Sequence, residues 1–405
     1  MNSSAASERF AKAVFVLFQI KIITFILWFF FDKPDVWISN FLTYPIGVMG
    51  FFCAAAEFFK KNSRSRMTVG GLLTVMLLGS ISISVLLQNL LLNDSIIIEG
   101  MTPGVVSLTY LLVGMVWFFL GASVQAISPE GLNRKIIFLP AVVLLLCVIA
   151  NLNEGLILDY KSISSEKAGD LEISHLTIGS YAVIASLMAI AFFNRPFKLI
   201  ACVVGALLFF FLGGRANLFI FILTCGIFYL PKLGLTRSVI VFFALALFSV
   251  ALLFVFNFDL TDPQVQKMIF YDGISQDQSE VARDIFFQGA LEGLSRQALY
   301  GDPAYLIEKF YSLGAYSHNL LSAWQFFGMV PFFIFSTSIV YVLRKIISHR
   351  SVLKNPMDEF GVLLFIFCVI SVVFAKSINF NPFWMALGFW LFRLSGVKFK
   401  KHRPI

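Results

Sequence analysis

The sequence predicts an all-α, polytopic integral membrane protein, a single transmembrane domain over 1–405 with about 12 transmembrane helices. Three observations predict it. Hydrophobic residues make up 59% of the chain and charged residues 13%, about half the charge of a soluble domain. Apolar runs long enough to span a bilayer recur along the whole length. Basic residues concentrate in alternate connections between those runs. The 48 Phe suit helices whose neighbours are lipid chains.

In order, the runs fall near 13–31, 37–59, 68–92, 104–127, 136–152, 176–194, 199–212, 216–231, 238–257, 319–343, 360–378 and 382–396. The first is long and no small-residue cleavage site follows it, so it reads as a retained span rather than a signal peptide. The seventh and eighth are short, separated only by Gly213-Gly214-Arg215, and read as two half-length segments. The lengths of the others suit helices, which satisfy their own backbone in lipid. Cys53, Cys147, Cys202, Cys225 and Cys368 lie inside apolar runs without paired spacing. They read as small buried hydrophobes, which supports neither a disulfide framework nor a zinc site.

Arg9 and Lys12; Lys60, Lys61, Arg64 and Arg66; Arg134 and Lys135; Arg195 and Lys198; Lys232 and Arg237; Arg344, Lys345, Arg350 and Lys354; and Lys398, Lys400, Lys401 and Arg403 all fall on one side of this layout. The opposite connections hold most of the acids, among them Asp159, Asp170, Asp259, Asp277 and Glu308. The positive-inside rule makes the first side cytoplasmic, with both termini there. The net charge of +8 is thus a mark of topology, and no nucleic-acid partner is expected. Cytoplasmic connections are too short to house a nucleotide-binding domain, and neither a P-loop nor a dinucleotide fingerprint occurs. The outer side has two sizeable connections, 153–175 and 258–318. Segments of that length are usually functional or partly folded, so activity is expected at the outer leaflet.

Three places there could carry chemistry. Arg215 stands at the break between the short runs, where two glycines would let it face a cavity as a fixed cation for an anionic group; it could equally snorkel to lipid headgroups. Arg283 opens a stretch, about 279–299, that reads as an amphipathic interfacial helix. Its apolar residues are Val281, Ile285, Phe286, Leu291, Leu294 and Leu299, and its polar face carries Arg283, Glu292 and Arg296. A plain solvated face is the alternative. Tyr316-Ser317-His318-Asn319 meets the tenth span, where Ser317 or Asn319 could cap the helix and leave its first N–H groups open to an anion. His318 beside them could move a proton or simply pack. Together, two arginines and a histidine on one side fit a pyrophosphate, since charge-assisted hydrogen bonds are worth roughly 1.5–3 kcal/mol each. No cofactor is implied, and no metal is demanded, because no carboxylates cluster at helical spacing near these residues. Lys21, Glu57 and Lys376 are the other charged candidates, each near a span end or isolated.

Gly-Gly-Arg215-Ala-Asn opening a span, a long outer loop with Arg283, and Ser-His318-Asn319 running into Trp324-Gln-Phe-Phe-Gly328-Met-Val-Pro331 together resemble the bacterial O-antigen polymerase and O-antigen ligase superfamily. The resemblance covers about 173–335. Arg215 followed by Gly226 is similar to an arginine–glycine spacing in those polymerases, while Gly214 stands where the family usually has Ser. The resemblance implies a GT-C-like glycosyltransferase of the inner membrane with its site facing the periplasm. Its substrate would be an undecaprenyl-pyrophosphate-linked oligosaccharide held by Arg215 and Arg283, with Ser317, Asn319 and Arg296 in support. His318 would activate the acceptor hydroxyl or assist the leaving phosphate. The partners implied are membrane lipids, a chain-length co-polymerase and a flippase. Polymerase is favoured over the ligase that transfers glycan to lipid A-core. A lipid-linked oligosaccharide flippase is a further alternative, because broken helices such as 199–231 also occur in transporters.

Overall fold

The computed structural model describes residues 3–31, 35–62, 67–91, 102–128, 130, 132–152, 158, 171–233, 278–310, 316–348 and 355–395. Among them the chain has fifteen helices and no strand. The span read at 238–257, most of 153–175, and 258–277 and 311–315 of the large outer connection lie outside the described residues.

The helices are α1 (Ser3–Phe31), α2 (Val36–Phe41), α3 (Thr43–Asn62), α4 (Val69–Leu91), α5 (Pro103–Val124), α6 (Arg134–Ala150), α7 (Leu171–Phe192), α8 (Arg195–Phe211), α9 (Arg215–Leu233), α10 (Gln278–Arg296), α11 (Ala304–Phe310), α12 (Leu321–Phe327), α13 (Met329–Ser348), α14 (Pro356–Phe374) and α15 (Asn381–Ser395). Several starts are written locally. Thr102, Asn133 and Asn355 each accept a backbone N–H from the first turn, and Pro103 and Pro356 take first-turn positions that need no donor.

Among the described residues, six helical stretches are long and apolar enough to cross a membrane: α1, α2–α3 together, α4, α5, α13 and α14; α7, α8 and α9 carry shorter apolar stretches. Phe51, Phe52 and Phe59 of α3 and Leu72, Val75 and Ile83 of α4 stand exposed. Apolar faces of that extent are not left to water in a soluble monomer. This is an α-helical membrane protein. At its centre α15 is almost wholly buried. A Cβ on Gly121 would lie 1.9 Å from the Met385 carbonyl oxygen, and one on Gly388 2.0 Å from that of Phe118. The backbones of α5 and α15 therefore touch, the close approach that small residues permit between membrane helices.

Polar contacts define two ends of the bundle. Glu359, in the first turn of α14, accepts from Lys198 near the start of α8 and from Tyr229 near the end of α9. Lys198 also donates to the Ala191 carbonyl at the end of α7, and Arg393 of α15 pairs with Asp358. At this Glu359 end α8 and α14 begin while α7, α9 and α15 finish. α14, 19 residues long, separates it by about 28 Å from the opposite end, where His318 and Lys376 lie.

Two expectations are corrected. The runs at 199–212 and 216–231 are not halves of a broken span: α8 and α9, of 17 and 19 residues, are each about 26–28 Å long and form an antiparallel hairpin. Gly213 at φ +61° reverses the chain. Its N–H donates to the Phe210 carbonyl and that of Gly214 to the Phe209 carbonyl, the Schellman pattern that ends a helix. The run at 319–343 is two helices, α12 and α13, because Gly328 between them sits at φ +86°, outside helical backbone.

Candidate functional site

The site is built on α10, which lies across the His318 end on α11 and α12. Its buried face is small rather than bulky. A Cβ on Gly289 would meet Leu306 at 2.7 Å and one on Gly293 would meet Tyr305 at 2.5 Å, with Ala290 buried between them. Phe286 packs edge-on to Phe310 at 5.1 Å. Val281, Ile285, Leu291 and Leu299 of the apolar set stand exposed, as residues turned to an interface would, while the face against α11 is made of small residues because that helix packs too close for larger ones.

The chain after α10 is bolted to the α12–α13 joint. Met329 N–H donates to the carbonyls of Ala298 and Leu299, and the Trp324 indole donates to Ala298 at 2.6 Å. Gln88 of α4 donates to both Tyr300 and Phe326 carbonyls, at 2.5 and 2.7 Å. Gly301, at φ +78°, and Gly328 lie back to back: a Cβ on Gly328 would stand 2.3 Å from the Leu299 oxygen, and one on Gly301 2.6 Å from that of Gln325. Only glycine fits both the backbone angle and the gap.

This docking brings Arg283 of α10 to His318. The imidazole stacks on Phe286 at 6.2 Å and lies tilted against Tyr316 at 4.7 Å. Burial first, then the nearby charges of Arg283 and Lys376, push it down to about 4, while its hydrogen bond with the Ala375 carbonyl pulls the other way. Lys376, just past the end of α14, is lowered to about 8 by burial and by Arg283. Three basic side chains from three separate parts of the chain thus meet at one end of the bundle. At neutral pH His318 is uncharged; with one ring nitrogen bonded to a carbonyl, the other is left an acceptor.

The remaining site residues fall as follows. Arg215 is the first residue of α9, half-buried, at the same end of the bundle: α9 packs antiparallel on α14, since Tyr229 meets Glu359 at the other end. Asn217 seats its amide against Gly179 of α7, where a Cβ would come within 2.6 Å. Arg296 is not brought to His318. It lies about 20 Å along α10 from Arg283, its guanidinium over the Tyr305 ring at 4.4 Å, beside the exposed Glu292–Lys309 ion pair.

Ser317 and Asn319 build the turn that holds His318. Ser317 is fully buried; its hydroxyl donates to Asn319 Oδ1 at 2.8 Å and its N–H to Gln325 Oε1 at 3.3 Å. Asn319 Oδ1 also accepts the Leu321 N–H, and the N–H groups of Ser322 and Ala323 donate to the Asn319 and Leu320 carbonyls. This overturns the expected anion site at a helix N-terminus, because the first donors of this short helix are already used within the turn.

Lys376, visible in the sequence only as an isolated charged candidate, is the residue that sequence reasoning did not assign to this site. Its signal is a lysine in Ala375-Lys376-Ser377-Ile378-Asn379, at the polar end of the run at 360–378, on the side where acids otherwise predominate. Comparison with protein-family models gives no match, and comparison with curated proteins gives none at a significant level.

Proposed function

We propose that this chain is a glycosyltransferase of the O-antigen polymerase type. It joins undecaprenyl-pyrophosphate-linked oligosaccharide repeats at the periplasmic face of the inner membrane, with the His318 end outward and both termini cytoplasmic. On this reading the membrane domain has 12 spans, counting 238–257 as one, in a GT-C-like arrangement. The observation that carries the proposal is the meeting of Arg283 and His318 at one end of a lipid-exposed bundle, with Arg215 at the same end. A sugar on a polyprenyl diphosphate already has its leaving group. The enzyme must hold the donor, align the acceptor hydroxyl and neutralise charge as the diphosphate departs.

In this scheme Arg283 and Arg215 hold the diphosphate. His318, neutral and with a free acceptor nitrogen, suits the acceptor hydroxyl better than a phosphate oxygen and acts as the base; positioned bases contribute typically ~10²–10⁴-fold. An arriving dianion would raise the imidazole's basicity by offsetting the positive charges beside it. The antiparallel α8–α9 hairpin takes away the broken-helix feature that favoured a flippase.

Purified protein supplied with lipid-linked oligosaccharide tests the reading. Longer lipid-linked glycans are expected; transfer only to added lipid A-core would make it the ligase, and translocation without new bonds a transporter. In cells, Arg215→Ala and Arg283→Ala should each remove long chains while leaving lipid A-core capped with a single repeat. Wild-type banding in both would remove the arginines from the mechanism.

A further inference from the structure

We infer that Lys376 is an anion-binding residue of this site, supplying beside Arg283 a fixed positive charge that takes up negative charge on the carrier-lipid diphosphate as the sugar leaves. The inference rests on the reading above and adds a residue to it. Lys376 is held by its backbone: its N–H and that of Ala375 both donate to the Ser371 carbonyl, at 2.7 and 2.8 Å. Two residues on, the Ile378 N–H donates to the Ser322 hydroxyl of α12 at 2.7 Å. The connection is thereby fixed to the element that follows the His318 turn.

Its side chain is left differently. Among the described residues the Lys376 ammonium makes no hydrogen bond or ion pair, while Arg283 lies close enough for the two like charges to disfavour each other. Two like charges side by side disfavour each other, and an anion bound beside the Lys376 ammonium would offset that. Two donors without partners lie on the same stretch: the Asn379 Nδ2 amide and the hydroxyl of fully buried Ser371 have none among the described residues. Buried polar groups normally find partners, and a phosphate oxygen would supply one. The charges also match. A diphosphate diester carries two negative charges, and a third develops when the glycosyl bond breaks; a lysine serves a phosphate as a point charge.

The experiment uses the full chain in nanodiscs of zwitterionic lipid, titrated with farnesyl diphosphate as a short carrier-lipid probe. Lys376→Met should weaken binding about 10- to 100-fold, whereas Lys376→Arg should stay close to wild type. Wild-type affinity should fall as pH rises above about 8 and that of Lys376→Arg should not. Arg283 and His318 face the lysine, and over that range a guanidinium stays charged and an imidazole neutral. A lysine serving only the fold would give no such profile. Unchanged affinity in Lys376→Met, with Arg283→Gln still weakened, overturns this inference and leaves the wider reading standing. No farnesyl diphosphate binding by wild type overturns both. Displacement of the probe by equimolar dioleoyl phosphatidic acid would make this a general lipid-phosphate site, and displacement by inorganic pyrophosphate without the lipid a free-anion site; either sinks the carrier-lipid assignment.

Discussion

Gly328→Ala probes the joint on which the site depends. The backbone angle of +86° costs an ordinary residue about 1–2 kcal/mol. The new methyl would lie 2.3 Å from the Leu299 oxygen and 2.5 Å from the Tyr300 Cα. These are backbone atoms held by Met329 and Gln88, so neither can swing aside, and overpacking of this kind adds about 1–3 kcal/mol. Together, about 2–5 kcal/mol acts against the docked state of the segment after α10. At 1.4 kcal/mol per factor of ten, the joint should open at least about 30-fold more often. The assay is limited proteolysis of purified protein, following cleavage within 278–310. Faster cleavage should be accompanied by loss of polymerising activity, because Arg283 leaves His318 when α10 lifts. Gly79→Ala is the control: nothing lies within 4 Å of that position, and alanine in a helix interior is favoured by about 1 kcal/mol. A Gly328→Ala protein as resistant and as active as wild type would refute the claim that this joint holds α10 in place.

Three further outcomes are expected. Because burial, Arg283 and Lys376 hold His318 at about 4, the imidazole is neutral and competent as a base above that value and loses the role only as pH falls through it. The pH profile of kcat/KM should therefore show no inflection near 6.5 on its acid limb; an ordinary histidine inflection there would contradict the packing around the ring. Phe286→Ala removes the ring on which His318 stacks and its contact with Phe310. It should lower kcat by up to about 100-fold, the size of effect a misplacement of about 1 Å produces, with little change in diphosphate binding. Glu359→Gln removes the carboxylate shared by Lys198 and Tyr229 at the far end of the bundle. It should lower the thermal midpoint in detergent, with a loss of about 1–3 kcal/mol, yet leave turnover per folded molecule unchanged.

Much of this architecture was legible before any coordinates. Apolar runs and local caps place most helices, since a bilayer asks only for length and apolarity. The two-residue break at Gly213-Gly214 was visible as well, but not its consequence. A pair of glycines permits a kink or a reversal, and only the length of the flanking helices and the contacts at Glu359 decide for a hairpin. The identities of Arg283 and His318 were readable because both stand in polar surroundings beside apolar runs. Lys376 was not. A single lysine at a span end is common, and its meaning comes from α10, nearly a hundred residues earlier, lying across it. The burial of Gly289, Ala290 and Gly293 in place of the larger residues of α10 is of the same kind: periodicity cannot show that the partner helix approaches at backbone distance.

The most direct measurement is a cryo-EM structure of the protein in nanodiscs with an undecaprenyl-diphosphate-linked repeat. Diphosphate density between Arg283 and Lys376, with the acceptor sugar's hydroxyl against His318, is the expected result. A carrier lipid bound at the Glu359 end, or one whose diphosphate lies away from both side chains, would contradict it.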